Sequence, residues 1–471
     1  MTQQAASTRP GLSARRLLLP LALAQFICSF AGSNMNVMIN DISNDLDTTV
    51  KGVQTAITLF LLVMAIFMIP GSKLTDRWGR KRCFNGGLLL YGVGAVVSAV
   101  SPGLGVLILG NSIFEGIGTA LLIPPVYILA TMAFSDVTSR ARAFGMISAA
   151  GGVGAAAGPL IGGLITTGIS WRAAFVFQAL IVAAIIALGR RIEDPLPADP
   201  ARPFDTRGAV LSAAGMFFLV FGILQAGSSG LLLVIFLALG VIFIALFLLH
   251  ARAEEQAGKE PLLSLGLFKN RTSNLGLVTQ NIQWLLLMGI TFVVSVYLQT
   301  VRDFNAIQTG VIFTAATVGI LASSLAAERL ARRHAQRTLI RAGFIVTIVG
   351  IGLLLALVSA SDHNVAFVPG LLLIGLGVGV MLTPSVNLVQ SAFPEQQQGE
   401  ISGLSRSISN LGSSFGTAIA GTILVSDLAS GNTSYVFAML SLAAIALIGL
   451  AAALRLPDDR KNATTIRSPR S

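Results

Sequence analysis

Fourteen blocks of apolar residues, each about twenty residues long, run through the chain of 471 residues. A helix needs roughly 20 apolar residues to cross the hydrocarbon core of a bilayer, and each block is long enough. The alternation that marks a transmembrane β-strand is absent. The sequence therefore predicts an all-α polytopic membrane protein. The predicted spans are residues 17–39, 53–72, 84–101, 104–133, 143–167, 172–189, 208–226, 229–250, 274–300, 306–327, 339–360, 365–392, 402–426 and 433–454.

The composition excludes most other classes of protein. Only 11% of the residues are charged and 54% are hydrophobic, whereas a globular domain has about 25% charged residues. So few charges cannot cover a water-soluble surface, which excludes a soluble enzyme, a disordered chain and a nucleic-acid-binding protein. Cys28 and Cys83 lie in or beside apolar blocks and predict neither a disulfide framework nor a metal site. We expect a monomer in the cell membrane, surrounded by lipid.

The basic residues predict the orientation of the spans. With the N-terminus inside, 29 of the 32 basic residues fall in inner segments, and Lys51, Arg172 and Arg302 fall outside. This distribution predicts an even number of spans and two cytoplasmic termini. Twelve spans would have the same parity, and the middle pair at 208–250 decides between the two counts. The predicted units are the N-terminus 1–16, a six-helix bundle 17–189, a linker 190–207, two inserted helices 208–250, a loop 251–273, a second six-helix bundle 274–454 and a tail 455–471.

The two predicted bundles resemble each other in sequence. Residues 116–125 match residues 375–384, which lie 259 positions later. Residues 76–81 in the first half match residues 328–333 in the second. Two matches at nearly one offset favour a parallel repeat over chance similarity between apolar helices. A six-plus-six repeat is typical of transporters that have a central site between two rocking halves.

Several segments carry a resemblance to a known family. Residues 72–81 resemble the signature loop of the major facilitator superfamily, and residues 107–124 are similar to its span-4 motif. Residues 154–163 resemble the antiporter motif of the drug exporters in that superfamily. With fourteen spans, the chain most resembles the fourteen-helix drug:proton antiporters. The resemblance implies a proton gradient as the energy source and no other cofactor.

The loop at residues 72–81, which we call the gate loop, is a cytoplasmic charge cluster. Asp76 can pair with a neighbouring basic residue or a facing helix end, and such ion pairs can hold one of two conformations. The alternative is a basic loop that only fixes orientation. The family's leading glycine is Ser72 here. The predicted gate residues are Ser72, Asp76, Arg77, Gly79 and Arg80.

The antiporter-like motif places small residues at every fourth position of span 5. Such a stripe allows two helix backbones to approach closely in a membrane, and a proline inside the span can bend it. We expect this stripe to form a tight seam between the two halves; the alternative is ordinary helix packing. The residues of the motif are Gly154, Gly158, Pro159, Gly162 and Gly163.

Glu115 is the only acidic residue that lies deep inside a predicted span. It follows Gly103 by twelve residues, which places it about 18 Å into the bilayer. A charged and unpaired carboxylate there costs several kcal/mol, so burial favours the protonated acid. An acid that holds its proton when buried and releases it to water suits a reversible proton carrier. The alternatives are attraction of a cationic substrate, or a neutral group bonded to Asn111 one turn earlier. The resemblance places Asn111 and Glu115 where the family has arginine and glutamine, and Ala31 near its usual acid. Asp41, at the outer boundary of span 1, is the second candidate for proton coupling.

Spans 1 and 9 correspond in the repeat and carry amide and aromatic side chains. In lipid, such groups turn toward the interior of a bundle. We expect them to line a central cavity, although hydrogen bonding between helices explains any one of them equally well. The predicted cavity residues, with Asn111 of span 4, are Gln25, Asn34, Gln280, Asn281 and Trp284.

The leading functional prediction is a proton-coupled exporter of amphipathic compounds, cationic or lipophilic. The chain lacks a phosphate-binding loop of the Gly-x-x-x-x-Gly-Lys-Ser/Thr type, which argues against an ATP-driven pump. No catalytic constellation is present, so we expect no enzymatic activity. One alternative is an importer or uniporter of a specific metabolite. Another is a receptor or scaffold that has the fold of a transporter but does not transport.

Overall fold

The computed structural model describes residues 10–134, 137–190, 194, 198–226, 229–360, 363–394, 397–425 and 432–457. Parts of the predicted terminus 1–16, of the linker 190–207 and of the tail 455–471 lie outside these ranges. The described residues form helices and connecting turns and contain no β-strand. The all-helical prediction is therefore confirmed.

Fourteen long helices, numbered here in chain order, account for most of the described residues. Each lies over one predicted apolar block. They are α1 (Pro10–Asn34, continued by Met35–Met38 and Ile39–Asp45), α2 (Val50–Trp78), α3 (Arg80–Ala99), α4 (Leu104–Leu107, Ile108–Glu115 and Gly116–Ala133), α5 (Val137–Gly168), α6 (Trp171–Gly189), α7 (Thr206–Gln225), α8 (Gly230–Gln256), α9 (Arg271–Thr300), α10 (Ala306–Arg333), α11 (Gln336–Ala360), α12 (Phe367–Gln390), α13 (Gln398–Val425) and α14 (Asn432–Leu454). Short turns Leu265–Lys269 and Asn364–Ala366 precede α9 and α12.

Among the described residues, eleven helices are long and apolar enough to cross a membrane, and the bent α5 would make twelve. The axis of α5 changes by 44° between Ala149–Ala155 and Ala157–Gly168. The two remaining helices are α3, which begins with three basic residues, and α13, which buries several serines. These charged and polar residues lower the mean hydropathy of α3 and α13. The count of fourteen spans and the orientation of the termini stay predictions.

Polar residues determine where several helices begin. The side chain of Thr49 accepts a hydrogen bond from the backbone N–H of Gly52 at 3.2 Å and caps α2. Ser170 does the same for α6, and Asn305 forms a capping box with Gln308 at the start of α10. Such caps satisfy N–H groups that have no partner within the helix.

The helices form two halves, each with its own buried apolar cluster. Helices α1 to α6 pack mainly against one another, as do helices α9 to α14. Helices α7 and α8 pack against each other through stacked phenylalanines, and α7 also contacts α2 and α13. The inserted pair therefore lies beside the junction of the two halves, which α2 and α13 form.

Candidate functional site

Two seams join the halves, and polar side chains bond directly to backbone carbonyls across the α2–α13 seam. Gln54 donates to the carbonyl of Thr417 at 3.2 Å near one end of the seam. Ser407 donates to the carbonyl of Ala65 at 2.6 Å further along α2. At the α5–α10 seam, the N–H of Ile307 donates to the hydroxyl of Thr167 at 3.1 Å. Both seams are thus specific contacts as well as apolar surfaces.

One end of the inter-half junction is closed by hydrogen bonds between α1 and α9, the first helix of each half. We call it the outer end, following the predicted orientation. The side-chain amide of Asn40 donates to the carbonyl of Gln299 at 2.6 Å, and the N–H of Asn40 donates to its side-chain oxygen at 3.1 Å. The Ser295 hydroxyl donates to the carbonyl of Asn36. Helices α1 and α9 therefore hold the outer end closed.

The gate loop lies at the opposite, inner end and makes two ion pairs. Asp76 accepts from Arg80 at 3.0 Å and from Arg202 of the linker at 2.8 Å. Gly79 has φ +92°, a conformation that disfavours side chains, and it separates α2 from α3. Ser72 lies next to Gly403 of α13, so the residue that replaces the family's glycine faces the other half. Arg77 is partly exposed beside this cluster.

The linker docks on the gate loop, which the sequence did not indicate. Asp194 accepts from the N–H of Lys81 at 3.1 Å, at the first turn of α3. Arg202 pairs with both Asp76 and Glu260, and Glu260 lies in the connection between α8 and α9. The gate loop is therefore tied through the linker to the segment that leads into the second half.

The antiporter-like motif corrects our expectation of where the glycine stripe packs. Gly154, Gly158 and Gly162 face α1 of the same half: a Cβ at these positions would meet the backbone of Phe26, the side chain of Ser33, or Asn34. The expected seam between halves is formed instead by the next residue on each turn. Sequence shows that a face is small, but it does not show which neighbour that face meets.

Two other residues of the motif, each one position later on α5, make the contact with the second half. A Cβ at Gly163 would meet the backbone of Ala306, and a Cβ at Gly310 would lie 2.5 Å from the carbonyl oxygen of Pro159. The backbones of α5 and α10 therefore approach closely at Pro159 and Gly163. The motif holds α5 between α1 and α10.

Glu115 is fully enclosed within the first half. Its Cγ lies against Gly94 of α3, with Tyr91 and Ser98 as its polar neighbours. The Tyr91 hydroxyl donates to Gln178 of α6. Neither carboxyl oxygen of Glu115 has a hydrogen-bond partner of normal geometry. The alternative that Glu115 bonds to Asn111 is not what the structure shows, since both polar atoms of that amide also lack partners.

The helix around Glu115 is a π-helix, Ile108–Glu115. Such wide turns are rare and occur frequently at functional sites. The hydroxyl of Ser112, in the same turn, donates to the carbonyl of Ala56 in α2 at 2.8 Å. The π-helix thus packs against α2 and α3 and presents the carboxyl of Glu115 to the interior of the bundle.

Asp41 does not share this environment. It is exposed on Ile39–Asp45, the extension of α1 at the outer end. Glu115, by contrast, lies within α4 and has no exposed surface. The structure therefore does not bring the two candidates for proton coupling together.

The predicted cavity residues divide into two groups. Gln280 accepts from Ser405 at 2.9 Å, and Asn281 donates to the carbonyl of Ile408 at 2.9 Å, so both hold α9 against α13. For these two residues, hydrogen bonding between helices is therefore the better explanation than a position on the wall of a cavity.

The second group makes fewer bonds to neighbouring helices. Gln25 donates to Ser29 in its own helix at 3.3 Å, and its carbonyl oxygen has no partner. Asn34 is fully buried, and neither of its polar side-chain atoms is hydrogen-bonded. Trp284 is partly exposed. Asn34 and Asn111 are therefore the predicted cavity residues whose buried amides make no hydrogen bond within the described part of the chain.

Arg406 is a residue of the interior that the sequence analysis did not predict as part of the site. The charge distribution assigned it to an inner loop, but it lies within α13 and reaches α4 of the other half. Its guanidinium donates to the hydroxyl of Tyr127 at 3.0 Å. A Ser-rich helix such as α13, with buried Ser405 and Ser407 beside the arginine, is the signal that could have indicated an interior position.

Comparison with known proteins agrees with this architecture. Residues 21–280, 201–417 and 281–470 match the model of the Major Facilitator Superfamily. A puromycin resistance protein of Streptomyces alboniger is 29% identical over 415 residues, covering 86% of this chain and 81% of that protein. A multidrug resistance protein of Mycobacterium tuberculosis is 26% identical over 416 residues, covering 88% and 76%. A crystal structure of a POT family transporter has a TM-score of 0.67 at 13% identity, covering 94% and 96%.

Proposed function

This chain belongs to the major facilitator superfamily, and we propose that it exports amphipathic small molecules from the cell in exchange for protons. It is a multi-pass membrane protein and a transporter, not an enzyme. We infer fourteen spans with both termini in the cytoplasm, from the helix bounds and the distribution of basic residues. The drug-resistance proteins among its relatives support the direction of export.

The arrangement of the two halves supports alternating access. The outer end is closed by the bonds between Asn36, Asn40, Ser295 and Gln299. Opening to the outside requires these bonds to break while the halves rock about the two seams. The ion pairs of Asp76 at the inner end are the matching two-state element on the cytoplasmic side.

Glu115 carries the proposal of proton coupling. A buried carboxyl without a hydrogen-bond partner is costly when it is charged, so this conformation favours the protonated acid. Admission of water or a polar partner in the other conformation would favour the carboxylate and release the proton. One titratable group that alternates between two environments is sufficient to couple proton movement to the rocking of the halves.

Transport by the purified protein in liposomes tests this proposal. The liposome interior is made acidic, and uptake of the dye rhodamine 123 is followed by fluorescence. We expect uptake to require the pH gradient, to raise the pH of the interior and to stop when a protonophore is added. Empty liposomes, and liposomes without a gradient, are the controls.

Two outcomes would contradict the proposal. Dye movement that is indifferent to the gradient and the protonophore would indicate a uniporter. Binding without movement across the membrane would indicate a receptor or scaffold. The direction of transport is measured separately in whole cells, where an exporter lowers the amount of dye retained and an importer raises it.

A further inference from the structure

Arg406 is a basic residue in the interior of the helix bundle. It follows Gln398, the first residue of α13, by eight positions, about 12 Å along the helix axis. Arginine keeps its charge under all physiological conditions. A charged side chain at membrane depth faces a wet cavity or a partner, and by default it indicates a functional site.

Tyr127 is the partner of Arg406, and the two side chains bridge the halves. Besides the hydrogen bond, the guanidinium carbon lies 5.6 Å from the centre of the tyrosine ring. Tyr127 belongs to α4, the helix that also carries Glu115, while α13 belongs to the second half. Both side chains are partly exposed although their helices lie inside the bundle. They therefore border an accessible space between the halves.

The charge of Arg406 is not neutralised by an acid in the described part of the chain. None of the ion pairs formed by described residues includes it. Its hydrogen-bond partner is a neutral phenol, and Cys28 of α1 lies within electrostatic range. Glu115, the acid that could attract a cation, is enclosed within the first half and has no exposed surface. Arg406 is therefore an accessible positive charge between the halves.

We propose that Arg406 and Tyr127 bind the anionic group of one class of exported compound, so that the substrates include amphipathic acids and zwitterions. The guanidinium has a planar set of donors that matches a carboxylate or sulfonate with two parallel hydrogen bonds. The tyrosine ring provides a flat apolar surface beside it for an aromatic part of the substrate. This inference rests on the proposed export function and names one of its substrate classes.

Two xanthene dyes of opposite charge provide the test. Fluorescein is anionic, and rhodamine 123 has the same ring system with a positive charge. Binding to the purified protein is measured by fluorescence anisotropy, and transport is measured in liposomes under one fixed gradient. We expect Arg406→Gln to weaken fluorescein binding about tenfold, the effect of losing roughly 1.4 kcal/mol, and to leave rhodamine 123 binding within about twofold.

Three further variants sharpen the result. Arg406→Lys keeps the charge but loses the planar fork, and we expect it to recover part of the fluorescein affinity. Tyr127→Phe keeps the ring and should cost less than Arg406→Gln. Arg207→Gln is the matched control, because Arg207 is exposed in the first turn of α7 outside both halves. It removes the same charge and should change neither affinity.

Equal loss of both dyes in Arg406→Gln would overturn the proposal, since it would mark the Arg406–Tyr127 contact as a latch between the halves. Unchanged fluorescein affinity in that variant would also overturn it. The binding assay needs no proton gradient. A protein that binds fluorescein through Arg406 but moves no dye would therefore contradict the proposed export and leave the assignment of Arg406 supported.

Discussion

The contact between α3 and α4 in the first half has a counterpart between α11 and α12 in the second, and the two differ at one side chain. A Cβ on Gly94 would lie 2.8 Å from the backbone nitrogen and 2.9 Å from the Cγ of Glu115. A Cβ on Gly350 would lie 2.8 Å from the nitrogen and 2.9 Å from the Cγ1 of Ile374. The same close approach of two helices therefore encloses a carboxyl in one half and a branched alkyl group in the other.

The backbone around these two side chains differs by one residue. Glu115 follows Gly110 by five positions, whereas Ile374 follows Gly370 by four. Both glycine carbonyls lie against the glycine of the neighbouring helix, so the two segments are structurally equivalent. The extra residue in the first half widens the helix into the π-helix Ile108–Glu115, and the second half is α-helical there. A single inserted residue accounts for the wide turn.

The comparison teaches that packing does not require the carboxyl. Ile374 fills the equivalent place with an apolar side chain that is 2% exposed, and it needs no partner. Glu115 buries two oxygens without partners and so destabilises the fold. A costly group that the second half does without is best explained by a role in transport.

The largest expected effect comes from making the two halves alike at this position. Glu115→Ile should lower gradient-driven transport by about 100-fold, the range for loss of a proton-transferring group. It should also raise the temperature of thermal unfolding in detergent, because an unpaired polar group is replaced by an apolar one. Both are measured on the same purified sample.

Glu115→Gln separates charge from shape in that experiment. The amide keeps the size of the side chain but cannot titrate, so coupled transport should fall as in Glu115→Ile, while exchange of substrate for substrate continues. Ile374→Val in the second half is the control and should transport normally. Gradient-dependent transport at the wild-type rate in Glu115→Gln would rule out the proton-carrier role.

The gate loop differs from its counterpart in the second half, and that difference gives the next effect. In the first half the helix ends at Trp78 and the chain turns at Gly79, whereas the matching segment from Glu328 continues as helix to Arg333. Asp76→Asn removes both ion pairs of Asp76 and should slow transport about fivefold, equivalent to about 1 kcal/mol. Arg329→Gln, at an exposed position of the matching segment, should cost less than about twofold when measured beside it at equal expression.

A pair of alanine substitutions tests whether the equivalent contacts differ in function as well as in packing. Gly94→Ala and Gly350→Ala should each lower the stability by about 1–3 kcal/mol, because the added methyl group overpacks a backbone contact. Only Gly94→Ala displaces Glu115, so only it should shift the pH profile of transport. A shift of equal size in both variants would show that the profile reports general loosening of the bundle.

The smallest effect concerns a titrating cap outside both halves. Burial raises the pKa of Asp205, but hydrogen bonds from the N–H of Gly208, from His250 and from the N–H of Leu262 outweigh this and lower it below its ordinary value of 3.8. The carboxylate therefore stabilises the fold above pH 4, and this contribution is lost as the pH falls through the lowered pKa.

Alanine at Asp205 should accordingly cost about 1 kcal/mol at pH 7, as the loss of a helix cap does, and less at pH 3, below the ordinary pKa of 3.8. Asn305→Ala, at the cap of α10, removes a side chain that does not titrate, so its cost should be the same at both pH values. Thermal unfolding of the two variants and the wild type at the two pH values measures the difference. A cost of Asp205→Ala that is independent of pH would contradict the lowered pKa.

Much of the fold could be predicted because a lipid bilayer restricts which secondary structures can cross it. Apolar length alone located all fourteen helices, with ends at most seven residues from the predicted ones, since backbone groups in a bilayer must bond within a helix. The burial of Glu115 followed from its position in the block. Its place between α3 and α4 did not, because helix periodicity does not identify which neighbour a face meets.

The same limit explains the errors in the site. Gly158 lies in a stripe of small residues that could pack against either α1 or α10. The sequence does not distinguish the two, and in the structure the stripe packs against α1. Arg406 lies only four residues inside the predicted block 402–426. A basic residue so close to the start of a block usually indicates the cytoplasmic end of a span. The docking of Arg202 on Asp76 is a contact between segments far apart in sequence, and no local pattern encodes it.

The closure at the outer end also has a consequence for the symmetry of the molecule. Two equivalent helices that touch each other, as α1 and α9 do through Asn40 and Gln299, lie on either side of the pseudo-two-fold axis, and at such an axis a homodimer is self-complementary. Two separate copies of the first half would bring α1 against α1 at this place. The single chain thus retains the isologous geometry of a homodimer at one end, while the inserted helices and the linker make its other end asymmetric.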